Sequence, residues 1–274
     1  MFNSFIMQEQ ALQYQLAGLK SEDFVNIPSL NVAIAKAKTR TANGNVLTRI
    51  SWYDAKRLVQ GLGPNYFLPT SSQWSKSREY LQQNYPELEK DFITGEYEWI
   101  DSLLAFPNEK AGYSPRLQNS SIKNGNVPLL IEQSKVERDG NDVLKDGKVT
   151  EVPELPLKSG CYIQAWDDEL GLPTKVGEKP NERFEGAYFW VNTDYDYHEG
   201  LRALIRGHWH WHDRERRFGT GAYWDPSSSY SSVGFRLGRV ASADEDFVKM
   251  PRTEYERLEK ISKELNQLLS KIRF

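Results

Sequence analysis

The sequence predicts an α+β fold, a twisted antiparallel sheet covered by two helices. Three observations lead to it. Short apolar runs with strand-like alternation are punctuated by the turn dipeptides Asn43-Gly44, Asn124-Gly125, Asp139-Gly140 and Asp146-Gly147. Two helical segments with capping signals stand in tandem between residues 51 and 85, as a sheet with one face to cover would use them. Between Ala203 and Val240, two apolar strands bracket a long polar loop studded with aromatic residues.

In chain order, Phe5, Leu12, Leu16 and Leu19 lie at near-helical spacing, which predicts a short amphipathic helix over residues 5–19. Val25, Ile27, Leu30, Val32 and Ile34 predict strands broken at Pro28, and Asn43-Gly44 predicts a hairpin turn. Leu47–Ile50 is expected to be a strand that runs into the first helix. There Ser51 is the N-cap, Asp54 lies in the first turn, and Ala55, Leu58, Val59 and Leu62 form an apolar face that stops at Gly63-Pro64. Thr70-Ser71-Ser72-Gln73 has the spacing of a capping box and starts the second helix, which passes through Trp74, Arg78 and Leu81 and ends before Pro86. Gly95–Ile100, Gly160–Trp166 and Ala187–Val191 read as strands. Residues 106–160 are rich in Asn, Gly, Pro, Lys and Ser and predict small surface hairpins with no core of their own. From Thr253 on, Leu258, Ile261, Leu265, Leu268 and Ile272 repeat in steps of three and four. That rhythm suits a helix docked on its own domain or an oligomerisation stalk, and its short run favours the first.

The bracketed segment reads ALIRGHWHWHDRERRFGTGAYWDPSSSYSSVGFRLGRV. Leu204 and Ile205 begin a strand, Arg206-Gly207 follows, and Val233–Leu237 closes the segment as a second strand. Alternation along an extended chain puts His208, His210 and His212 on one side and Trp209 and Trp211 on the other. The tryptophans can anchor the loop by apolar burial. His, Tyr, Ser and Asp opposite them have the chemistry of an adaptable binding surface.

Composition narrows the function classes. The chain has 274 residues with 35 Lys and Arg against 38 Asp and Glu, a net charge of -3, which argues against a general nucleic-acid binder. Cys161 is the sole cysteine, so neither an intramolecular disulfide nor a cysteine-rich zinc site is expected. The first residues, MFNSFIMQEQALQ, have no basic n-region and no long apolar run, so no signal peptide is expected, and no stretch approaches transmembrane length. A cytoplasmic or virion-associated location follows as an expectation. No P-loop, nucleophile elbow or zinc-protease helix motif is present.

Four stretches together resemble a known family. TRISWYDAKRL (48–58) with FLPTSSQW (67–74), GEYEW (95–99), RGHWHW (206–211) and VGFRL (233–237) are similar, in order and rough spacing, to the motifs of the C-type lectin fold of the formylglycine-generating-enzyme type. The resemblance spans residues 47–240 and implies that fold. It also implies what is missing. The enzymes of that family use a pair of active-site cysteines, and this chain has Cys161 alone; the calcium motifs of sugar-binding C-type lectins are likewise absent. The chain instead resembles the variable proteins of diversity-generating retroelements. There an error-prone reverse transcriptase rewrites the last part of such a domain, often at AAC codons. That scheme yields residues such as Ser, Tyr, His, Asp, Gly and Asn and never Trp, Glu, Gln, Lys or Met. His208, His210, His212, Asp213, Tyr223, Asp225, Ser228, Tyr230 and Ser232 belong to the permitted set, whereas Trp209, Trp211, Glu215 and Trp224 do not.

Other readings of the same residues are blander. Three imidazoles suit zinc, copper or nickel, but positions i, i+2 and i+4 of a strand lie about 7 Å apart stepwise, which makes a compact site awkward. The run Asp213-Arg214-Glu215-Arg216-Arg217 reads as mutually paired surface charge, and His198 as a loop histidine. The expectation is therefore a C-type lectin-fold domain over residues 1–240 with an irregular insertion, and a helical extension over 241–274. Its ligand-binding residues are the nine of the permitted set. Arg206, Gly207, Trp209, Trp211, Gly234, Phe235 and Arg236 serve as scaffold. Neither metal nor cofactor nor catalytic residue is expected. The partner expected is a macromolecule, a protein, with neither nucleic acid nor membrane insertion involved, and the chain is expected as a monomer or small homo-oligomer. The alternative is a metal- or cysteine-dependent oxidoreductase related to formylglycine-generating enzyme.

Overall fold

The computed structural model describes residues 21–41, 44–93, 95–122, 125–139, 141–196, 198–207 and 218–241. The chain divides into two units, Met1–Arg239 and Val240–Phe274, and the fold is that of the first. The predicted helix over residues 5–19 and the heptad seam from Leu258 lie outside the described residues.

The first strands are β1 (Phe24–Ile27) and β2 (Val32–Ala35), an antiparallel pair joined by a 3-10 turn at Pro28–Leu30, where the proline was expected to break the strand. The expected strand at Leu47–Ile50 is irregular. Arg49 sits in the left-handed region at φ 57°, which interrupts an extended chain, and its N–H donates to the Tyr230 carbonyl instead of to a neighbouring strand. Helix α1 (Trp52–Gly61) follows, with the Ser51 hydroxyl accepting from the Asp54 N–H as cap. Its buried face is Trp52, Tyr53, Ala55, Lys56 and Val59, while Leu58 and Leu62 of the expected face are half-buried. After β3 (Tyr66–Phe67), helix α2 (Ser71–Asn84) begins with the reciprocal capping box: Gln73 N–H to Thr70 Oγ1 at 3.2 Å, Thr70 N–H to Gln73 Oε1 at 2.9 Å. Pro86 does not merely stop this helix. It starts a further one, α3 (Pro86–Ile93), at the position where a missing N–H costs nothing. The tandem is thus three helices long among the described residues.

Strand β4 (Tyr97–Ala105) is buried along its whole length. Beyond it come β5 (Leu117–Gln118), β6 (Leu129–Glu132), β7 (Lys135–Asp139), β8 (Asn141–Lys145), β9 (Lys148–Glu151), β10 (Cys161–Asp167), β11 (Leu172–Gly177), β12 (Tyr188–Val191), β13 (Leu201–Arg206), β14 (Thr220–Trp224), β15 (Val233–Phe235) and β16 (Gly238–Val240). The main sheet runs β11-β10-β12-β14-β13-β4-β6-β9, with β15 also paired to β4. The second sheet is β1-β2-β16-β3, so the last described strand returns to the first ones; a third is β5-β8-β7.

Two expectations change here. The sheet is mixed, not antiparallel, because β12 runs parallel to β14 and β15 parallel to β4. Residues 106–160 are also more than surface hairpins. Leu129, Leu130 and Ile131 are buried in the main sheet, where β6 pairs with β4 and β9. Leu129, Leu130 and Ile131 form a continuous apolar run because both faces of β6 are covered, which removes the alternation that marks a half-exposed strand. The result is α+β and mostly β. Trp52, Trp74 and Trp99 are among its largest fully buried side chains.

Candidate functional site

Both ends of the loop segment are registered on one residue. In β13, Arg206 pairs with Glu98 of β4; in β15, Gly234 pairs with Glu98 from the other side. Everything between Gly207 and Ser232 is therefore an excursion whose two ends flank a single buried strand. Gly234 suits that geometry, since a Cβ there would crowd the Leu47 carbonyl oxygen at 3.0 Å and the Val46 side chain at 3.1 Å.

Side chains lock the same point. The Glu98 carboxylate is fully buried. It accepts from Arg236 Nη2 at 2.8 Å, from Arg236 Nε at 3.2 Å and from the Trp74 indole at 3.2 Å, and Lys38 Nζ lies 3.9 Å away. Arg236 also donates to the Ala35 carbonyl at 2.9 Å and lies over the Phe92 ring at 3.7 Å. Arg206, at the other end, donates to Thr220 Oγ1 at 2.8 Å and Ser75 Oγ at 2.9 Å. It is flanked by the Trp74 ring at 4.7 Å and the Trp166 ring at 5.0 Å. Two buried guanidiniums, Arg236 bonded through Nε and both Nη groups and Arg206 through its two Nη groups, fix the loop base to α2, β2 and β4.

The described part of the excursion, 218–232, begins with β14, slotted between β12 and β13. It continues through a turn held by Asp225, whose carboxylate accepts the Ser227 N–H at 2.9 Å and the Ser228 hydroxyl at 3.1 Å. Trp224 stacks on Tyr230 with ring centroids 4.4 Å apart and meets Trp99 and Tyr97 edge-on. The Ser232 carbonyl accepts from Tyr97 N–H at 2.8 Å, which leads into β15. Over this frame Tyr223 is 50 % exposed, and Ser227, Ser229 and Ser231 are exposed.

The expected display residues divide accordingly. Tyr223 is on the surface. Asp225 is not: at 3 % exposure it is buried, because its carboxylate is spent on the turn's own donors. Ser228, Tyr230 and Ser232 are half-buried, Tyr230 because its ring packs on Trp224 and the core. The exposed positions of the serine run are its odd members, 227, 229 and 231. Codon-permitted residue types could not separate them from their neighbours, since SSSYSS is permitted throughout. His208, Trp209, His210, Trp211, His212 and Asp213 lie outside the described residues. Arg206, Gly207, Gly234, Phe235 and Arg236 are all buried.

Cys161 is buried in β10, its thiol 3.6 Å from the Ser159 carbonyl oxygen. Among the described residues no group of three His, Cys, Asp or Glu is placed to hold a metal ion. No helix among them is long and apolar enough to cross a membrane. A second polar cluster was missed by the sequence reading. Asp101 of β4 and Glu132 of β6, which pairs with the next residue Ser102, are both buried, with Lys56 Nζ 2.8 Å from Asp101 and the Ser102 hydroxyl donating to Glu132 at 2.8 Å. Desolvation raises both carboxyls, Glu132 to about 7, with Asp101 adding repulsion and Lys148 opposing it. Compared with known proteins, the chain matches no family model and no curated protein.

Proposed function

We propose that this protein is a non-enzymatic binder: a C-type lectin fold of the formylglycine-generating-enzyme type presents a retroelement-diversified segment, residues 206–236, to a protein partner. The observation that carries the reading is the double registration of that segment on Glu98. A loop held at both ends by buried charge and hydrogen bonds can change its exposed residues without changing its base. Exposed substitutions away from such features stay within about 0.5 kcal/mol. The exposed chemistry fits recognition: one large amphipathic ring, Tyr223, and small hydroxyl side chains at 227, 229 and 231. The tandem of α1 and α2 on a sheet, and the return of β16 to β2, support the lectin reading alongside the four motifs.

Sequencing the flanks of the gene and many of its copies tests this proposal. The expected result is a reverse transcriptase gene with a near-copy of the segment coding for 206–236. Substitutions between copies should concentrate at 223, 227, 229 and 231 and at the three histidines, and spare Trp224, Gly234, Phe235 and Arg236. Substitutions spread evenly over the chain, or the absence of any template copy, would contradict it.

A further inference from the structure

The turn after β9 and the β10–β11 hairpin line a pocket of about 190 Å³. Its floor is apolar: Val152, Leu155, Leu172 and Pro173, all buried residues of the domain. Its rim is acidic, with Glu151, Glu154 and Asp167. Among the described residues none of these three carboxylates forms an ion pair, although nearby acids do, such as Glu169 with Lys76. Asp167 Oδ1 accepts the N–H groups of Glu169 and Leu170, which fixes that carboxylate at the pocket edge. Glu151 and Glu154 are exposed.

We propose that this pocket takes an arginine side chain of a protein partner. Size favours one side chain over a whole ligand: about 150 Å³ is enough for a benzene-sized group, whereas drug-sized ligands need about 300 Å³ or more. Chemistry favours a cation with an apolar stem, because arginine lays its methylenes along apolar surface while its head stays in water. The planar guanidinium, with five N–H donors, serves several carboxylates at once, and arginine is the basic residue enriched in protein interfaces. An anion or an acidic peptide meets uncompensated repulsion here.

The test is an amide chemical-shift titration of the full chain with acetyl-Gly-Arg-Gly-amide and with its citrulline analogue, a neutral isostere. The arginine peptide should give saturable shifts at Val152, Leu155 and Thr174, and bind at least about tenfold more tightly than the citrulline peptide, the factor one charge-assisted hydrogen bond supplies. Glu151→Gln/Glu154→Gln, which leaves Asp167 as the one rim carboxylate, should shrink that difference, and Glu154→Gln alone should shrink it less. Because the citrulline comparison uses the unaltered chain, the outcome does not depend on how the variants fold. Equal binding of the two peptides, shifts elsewhere, or binding of free arginine in preference to the peptide would overturn the proposal. None of these outcomes bears on the loop segment 206–236.

Discussion

Glu98→Gln is expected to destabilise the fold by about 3–5 kcal/mol, the usual cost of removing one member of a buried ion pair. The change keeps size and shape and removes only the charge. Arg236 then stays buried and fully desolvated without its anion, and so does Lys38 at 3.9 Å. Chemical denaturation measures the loss. Because Arg206 and Gly234 both pair with residue 98, hydrogen exchange should speed up in β13 and β15 together. The double change Glu98→Met/Arg236→Met should cost less than the sum of its single changes, since apolar replacement of both partners leaves no stranded charge. A loss below about 1 kcal/mol for Glu98→Gln, the level of an ordinary surface pair, would mean that the clamp does not hold the loop base.

Glu132→Gln should act in the opposite direction, and only where the carboxyl is ionised. In the fold the group titrates at about 7, against an ordinary value of 4.5. The folded state therefore binds its proton more tightly than the unfolded chain does. Stability is fully present below about pH 4.5 and is lost as pH rises through about 7, by roughly 3 kcal/mol at about 1.4 kcal/mol per unit. The charged groups facing the site are Asp101 of β4 and Lys148 of β9, and Lys56 of α1 pairs with Asp101; the rise in the Asp101 carboxyl has the same sign. Glutamine mimics the protonated form and still accepts from Ser102. At about pH 8.5 the variant should be more stable than the parent by up to about 3 kcal/mol, and at about pH 5 the two should converge. A difference that does not vary with pH would contradict this account.

Local signals in the sequence match the structure where one residue type answers one backbone need. Ser51, Thr70 with Gln73, and Pro28 did what their types do at helix starts and strand breaks. The errors came where tertiary structure overrides local pattern. Leu47–Ile50 looks like a strand, but Arg49 turns the chain toward Tyr230. β6 was hidden because burial on both faces removes alternation, and the parallel pairings leave no local mark. At the candidate site, Arg206 and Arg236 stand out in the sequence as scaffold, whereas the shared register of both strand ends on Glu98 and the parity of the serine run do not. That parity depends on the Asp225 turn, which shifts which hydroxyls face outward. Asp101 and Glu132 stood apart in the sequence, and only the pairing of β4 with β6 brings them together.

The most direct measurement is a library in which positions 208, 210, 212, 223, 227, 229 and 231 are randomised, selected for capture of an arbitrary folded protein, with thermal unfolding recorded on the same samples. If the segment is a tolerant recognition surface, most members unfold within a few degrees of the parent, at about 0.5 kcal/mol or less per exposed change. Binders are recovered, and each loses its target when these positions are set to alanine. Asp225→Ala and Trp224→Ala, changes to the frame, should instead cost about 1–3 and about 3 kcal/mol. A library that is mostly unfolded, or one that folds and yields no binder dependent on these positions, would contradict the account.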